Sequence, residues 1–181
     1  MNILIDFDDS FTFNLRQFFQ SSSIELELFN WRDISLIPID KVRLIVLGPG
    51  PGHPLEYPEV ISFLSKIINS NVYFFGVCLG HQILMSLLGF KIKRLAEPVH
   101  GRAKQLEIPP FLENLFLTNK ISAQFYNSLY VSPEGKNEYL SKCIYHEGAI
   151  LAYFSNNIFS TQFHIESVGT SECSNLLKNL Y

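Results

Sequence analysis

The chain has 181 residues, 47% of them hydrophobic, with sixteen Phe, eight Tyr and a net charge of −3. That length suits one domain with a large aromatic-rich core, and so small a charge offers nothing to nucleic acid or an anionic membrane. Three widely spaced cysteines, Cys78, Cys143 and Cys173, suit a reducing compartment better than a disulfide framework.

In chain order, residues 2–7 carry no basic region and are expected to form a first strand, not a signal peptide. No apolar run approaches the roughly 18 to 20 residues that a membrane span needs, and a cytoplasmic location is expected. Ser10 is expected to cap a helix whose apolar face carries Phe11, Leu15, Phe18 and Phe19. Asp8 and Asp9 precede it and are read as capping groups and N-terminal charge, not as a magnesium site. Further strands are expected over 24–29, 44–47 and 72–75, with a helix over 57–68 turning Val60, Ile61, Leu64 and Ile67 inward. Beyond Phe90 the strands become shorter, and residues 171–181 should form a closing helix packed through Leu176, Leu177 and Leu180. The fold class is therefore α/β: a single domain over 1–181, with a mainly parallel sheet, helices on both faces and a mixed or antiparallel C-terminal part.

The chemistry concentrates at three places. Gly76-Val77-Cys78-Leu79-Gly80-His81-Gln82 joins an apolar strand to a helix, so Cys78 stands on a tight turn at the carboxyl edge of the sheet. A helix N-terminus favours thiolate, and flanking glycines would serve no purpose around an inert core cysteine. Phe159-Ser160-Thr161-Gln162-Phe163 reads as a strand ending in His164-Ile165-Glu166. Spacing of two places His164 and Glu166 on one side of an extended segment, as a base and its orienting carboxylate. Gly48-Pro49-Gly50-Pro51-Gly52 follows the strand over 44–47 and supplies a shaped loop with free N–H groups for a developing oxyanion. His81 completes a Cys-x-x-His spacing, but no second ligand pair accompanies it, so no metal is expected. His53, His100 and His146 are read as loop residues, and Trp31 as an aromatic at the core edge.

These residues resemble the class I (triad) glutamine amidotransferases, and within them the small subunits of anthranilate synthase and aminodeoxychorismate synthase. The match runs from Asp8-Asp9-Ser10-Phe11-Thr12 through the Gly-Pro loop, the Cys78 turn, His100-Gly101 and Tyr126 with Ser128-Leu129 to Gln162-Phe163-His164 and Glu166-Ser167. The resemblance implies Cys78 as nucleophile, His164 as base and Glu166 as its partner. It implies that Gly50, Pro51 and Gly52 line a glutamine site, with the Gly50 and Leu79 N–H groups as oxyanion donors. Gln82 and the backbone of Ser128 and Leu129 would hold the amino-acid end of L-glutamine. It further implies a glutaminase without a cofactor of its own, passing ammonia to a separate chorismate-using synthase that makes anthranilate or 4-amino-4-deoxychorismate. All 181 residues are taken up by the one expected domain, so the acceptor site is expected on another chain, with Asp9 to Thr12 near the contact. Asn127, Ile165 and Ala152-Tyr153-Phe154-Ser155 depart from the family pattern, which usually reads Tyr-His-Ser-Leu, His-Pro-Glu and a stretch ending in Arg-His at these places. A free-standing thiol amide hydrolase and an inactive regulatory scaffold remain open as alternatives.

Overall fold

The computed structural model describes residues 1–155, 157–171, 173, 176 and 177. Its centre is a nine-stranded sheet. Five strands run parallel in the order β2 (Glu27–Asn30), β1 (Asn2–Asp6), β3 (Leu44–Leu47), β4 (Tyr73–Val77) and β11 (Ile158–Thr161). The sheet continues antiparallel through β10 (Ala149–Phe154), β8 (Leu129–Ser132) and β5 (Lys91–Arg94), with β9 (Cys143–His146) also paired to β10. A separate two-stranded ribbon joins β6 (Arg102–Glu107) to β7 (Lys120–Phe125). The mixed sheet agrees with the expected class. One detail is new: β11, deep in the irregular second half of the chain, returns to pair parallel with β4.

Side-chain alternation along the strands divides the core into two layers. Leu4, Val46, Phe75 and Val77 face one layer, with Leu15 and Phe19 of α1 (Thr12–Gln20) and the apolar side of the ribbon. Ile3, Ile5, Ile45, Leu47 and Phe74 face the other. That layer is covered by Val60 and Leu64 of α2 (Pro58–Ser65) and by Ile83 and Leu84 of α3 (Leu79–Leu87). Leu176 and Leu177 are buried in the α1 layer, as expected of the closing segment, whereas Leu180 lies outside the described residues.

Several local expectations need correction. Ser10 does not cap α1: the N-cap position is Phe11 and has no side-chain cap. Asp9 does this work instead, its Oδ1 accepting from the Phe11 N–H at 2.8 Å while its carbonyl accepts from Thr12 N–H at 3.2 Å. Asp8 turns away at φ 61° and binds Arg32, Asn30 and Trp31. The second strand starts later than expected, at Glu27, and α2 is shorter, spanning Pro58–Ser65. Proline at its first position suits a helix start, since its missing N–H would find no intrahelical acceptor there.

The close approach of α3 to the sheet is what sets the site. A Cβ on Gly80 would lie 2.2 Å from the Leu47 carbonyl oxygen and 2.6 Å from its Cβ. A Cβ on Gly76 would lie 2.7 Å from the Gly80 carbonyl group. Both positions therefore require glycine, and the helix start rests directly on the end of β3. Gly80→Ala is expected to destabilise the fold by about 3 kcal/mol or more, because backbone atoms cannot yield as a flexible side chain would. Denaturant unfolding of the purified variant measures this as a lowered midpoint.

Candidate active site

Cys78 lies at the carboxyl end of β4 in a conformation rare for any residue with a side chain, φ 54° and ψ −102°. It is held there from three sides. Its N–H donates to Thr161 O at the end of β11 at 2.9 Å, and its carbonyl accepts from Gln82 N–H at 3.1 Å. Gly80 N–H, two residues on, donates to Gly48 O at 3.2 Å and ties the turn to the Gly-Pro loop. The thiol is thus presented at the mouth of three strand ends, where open α/β sheets bind ligands.

His164 is reached through a turn, not along an extended strand as the sequence suggested. β11 ends at Thr161, and Ser167 N–H closes the turn onto His164 O at 3.2 Å. The turn brings His164 Nδ1 to Glu166 Oε1 at 2.7 Å, with the imidazole 3% exposed and the carboxylate side chain fully covered. Ile165 between them is buried in the α1 layer and anchors the turn. Burial alone would lower the His164 pKa, but the Cys78 sulfur and the Glu166 carboxylate outweigh it and raise it to about 10. His164 Nε2 is buried without a hydrogen-bond partner among the described residues, and so is Glu166 Oε2. The carboxylate fixes one ring nitrogen and leaves the other to the Cys78 sulfur, the two groups together favouring the charged ring.

The Gly-Pro loop flanks the thiol. Tyr57 Oη donates to Pro51 O at 2.9 Å, and Gly52 adopts φ 77°. His53 caps the short turn at Pro54–Glu56, accepting from Leu55 N–H at 3.1 Å while its own N–H donates to Glu56 Oε1 at 2.7 Å. Gly50 lies against Phe7 and Leu79, next to the first residue of α3. Leu79, as that first residue, has an N–H with no intrahelical acceptor. Gln82 Nε2 donates to Leu129 O at 3.3 Å and to Gln162 Oε1 at 3.0 Å. Both its amide protons are committed inside the protein, so only its oxygen remains for a ligand. Ser128 is exposed, its carbonyl accepting from Leu95 N–H at 2.9 Å, and no hydrogen bond among the described residues ties it to the Cys78 group.

Sequence reasoning passed over several residues that the fold brings here. Gln162 Nε2 donates to Cys78 Sγ at 3.6 Å. The rings of Phe11 and Tyr126 meet the His164 ring edge-on, at centroid distances of 5.4 and 5.1 Å. Thr170 Oγ1 donates to His164 O at 2.6 Å. The spacing of two between Gln162 and His164 was a usable signal; nothing in the sequence linked Phe11 or Tyr126 to that histidine. His81 is fully buried, bonded to Ser160 Oγ and Ile150 O, and burial lowers its pKa to about 4, so it is a neutral structural group. Among the described residues no cluster of three or more His, Cys, Asp or Glu could hold a metal, and no helix is long and apolar enough to cross a membrane.

Over residues 3–181 the sequence matches the family Glutamine amidotransferase class-I. The chain belongs to that family, and its enzyme class is that of a glutamine amidotransferase. It is 31% identical to anthranilate synthase component 2 of Cyanidium caldarium, over 99% of this chain and 96% of that protein. It is also 31% identical to aminodeoxychorismate/anthranilate synthase component 2 of Bacillus subtilis strain 168, over 99% of this chain and 94% of that one. The fold is shared with a solved glutamine amidotransferase from Methylobacillus flagellatus at TM-score 0.72 and 15% identity, over 92% of this chain and 70% of that chain.

Because the His164 pKa is raised, its protonation stabilises the fold fully below the ordinary value near 6.5, and that contribution is lost as pH rises toward about 10. An NMR titration of the imidazole should find it protonated well above neutrality. The midpoint should fall in both Cys78→Ala and Glu166→Gln, each of which removes one of the groups that hold the charge.

Proposed function

We propose that this chain is the glutaminase subunit of a chorismate-using amidotransferase complex, acting through Cys78, His164 and Glu166. The observation that carries the reading is the buried His164 imidazole beside Cys78, with Nδ1 on Glu166 at 2.7 Å and Nε2 unpartnered. A nucleophile needs a base whose far nitrogen is oriented by a third group, and this arrangement supplies both. The full-length similarity to component 2 of anthranilate and aminodeoxychorismate synthases supports the choice of complex.

In this mechanism the Cys78 thiolate attacks the side-chain amide carbon of L-glutamine, and the carbonyl electrons move onto oxygen. The oxyanion is held by the N–H groups of Gly50 and Leu79, two backbone donors that need no reorganisation as charge develops. His164 passes its Nε2 proton to the departing nitrogen, the C–N bond breaks, and ammonia leaves. The remaining glutamyl thioester is cleaved by water, whose proton goes to His164, and glutamate is released with the thiol regenerated. No step calls for a cofactor in this chain. Gln82 contributes its carbonyl oxygen to the substrate's α-ammonium group, since its amide protons are taken. The ammonia passes to a separate synthase subunit that makes anthranilate or 4-amino-4-deoxychorismate.

Treatment with the glutamine-analogue electrophile diazo-oxo-norleucine, followed by mass spectrometry, should give one adduct on Cys78 that excess glutamine blocks. Labelling only in the presence of a chorismate-using synthase would place activation in the complex. Cys78→Ala should abolish glutamine turnover, His164→Asn should come close to doing so, and Glu166→Gln should cost less. Wild-type turnover in Cys78→Ala would overturn the mechanism.

A further inference from the structure

Gln162 and Gln82 are buried beside the Cys78 turn, with 0% and 3% exposure, and Asn127, 7% exposed, meets them only through Leu129 O, its own Oδ1 having no partner among the described residues. Burying an amide is unfavourable unless its polar atoms find partners, so the direction of their hydrogen bonds carries information. That direction is dictated by one backbone group. Leu129 O can only accept, and it accepts from Asn127 Nδ2 at 2.8 Å and from Gln82 Nε2 at 3.3 Å. Gln82 must therefore turn its NH2 group inward, and the second proton of that group meets Gln162 Oε1 at 3.0 Å. With its oxygen so occupied, Gln162 has to present its own NH2 to what lies beyond, which is Cys78 Sγ at 3.6 Å.

We infer that Gln162 is a positioning residue for the nucleophile, donating a hydrogen bond that holds the Cys78 sulfur and stabilises it as thiolate, with Gln82 and Leu129 O setting the amide's orientation. The inference rests on the reading of Cys78 as the nucleophile. Donation to the charged form of a group favours that form, and a neutral donor does so without adding a second titration. The Gln162 backbone is itself fixed, its N–H donating to Leu151 O at 2.8 Å. The titratable groups nearby are His164 and Glu166, from the turn after β11. His81 on α3 faces Ser160 and Ile150 instead. The amide thus acts on the sulfur separately from the imidazole.

The test is the pH dependence of Cys78 alkylation by iodoacetamide, read at that cysteine by peptide mass spectrometry, in wild type, Gln162→Met and Gln162→Glu. Methionine keeps the length and removes the donor. Glutamate keeps the acceptor for Gln82 and sets a negative charge beside the sulfur. The midpoint should rise by about one pH unit in Gln162→Met, the size expected for a lost hydrogen bond to a charged group, and further in Gln162→Glu. A merely structural role would lower thermal stability and leave the midpoint where it was, and that result in either folded variant overturns the inference. Should neither variant fold, the side-chain amide signal of Gln162 in the wild-type chain decides. A shift tracking thiol ionisation supports the bond, and a signal indifferent to it overturns the inference. Glutamine turnover measured alongside separates the two claims: Cys78-independent turnover sinks the nucleophile reading, whereas Cys78-dependent turnover with an unmoved midpoint sinks only the role of Gln162.

Discussion

Contact between the start of α3 and the end of β3 is the constraint on which the rest of the site depends. With no side chain at Gly80, the first turn of the helix lies on Leu47, and Gly80 N–H reaches Gly48 O. The Gly-Pro loop and the Cys78 turn are thereby placed side by side, each at a strand end. Cys78 N–H bonded to Thr161 O brings in the end of β11 and, beyond it, the turn carrying His164. The left-handed backbone at Cys78 costs on the order of 1–3 kcal/mol and persists because hydrogen bonds on both sides over-determine it. Relaxing that turn would move the sulfur away from both the imidazole and the Gly-Pro loop.

The neighbourhood of the sulfur is polar and buried. On one side stands the imidazole held by Glu166, with Phe11 and Tyr126 edge-on against its ring. From another side comes the Gln162 amide, oriented through Gln82 by the Leu129 carbonyl. Three buried side-chain atoms, His164 Nε2, Glu166 Oε2 and Asn127 Oδ1, have no hydrogen-bond partner among the described residues, and leaving such atoms unpaired costs about 1–3 kcal/mol each. Under the proposed mechanism, His164 Nε2 would find its partner in the departing nitrogen of the substrate. Phe11 also links this interior to the loop after β1, where the Asp8–Arg32 pair holds the chain at 2.6 Å. That loop is thus one aromatic ring away from His164.

Much of this was legible in the sequence because it rests on local chemistry. Glycines two residues to either side of Cys78, at the junction of an apolar strand and a helical stripe, specify a tight turn whatever surrounds it. The Gly-Pro alternation after Leu47 does the same for its loop, and the apolar runs at 44–47 and 72–75 read as buried strands, the second found at Tyr73–Val77. Errors came where two local signals competed. Ser10 and Asp9 are both good caps, and the choice between them was made by the loop geometry that α1 inherits from packing Leu15 and Phe19 on the sheet. His164 and Glu166 were read as neighbours along a strand, whereas β11 stops at Thr161 and burial of Ile165 folds the segment into a turn.

The sequence by itself determined the class of fold, the place of the thiol and the family to which the chain belongs, because each is written in short-range patterns of residue type. Only the tertiary structure decided which groups meet the thiol. That Gln162 donates to Cys78, that Gln82 faces inward, and that Phe11 and Tyr126 enclose His164 all depend on segments up to about 150 residues apart lying side by side. The directions of those amides follow from a single backbone carbonyl, at Leu129, whose position is fixed by the pairing of β8 with β10 and β5. Hydrogen-bond polarity of that kind is a property of the assembled sheet, and no local stretch of the chain contains it.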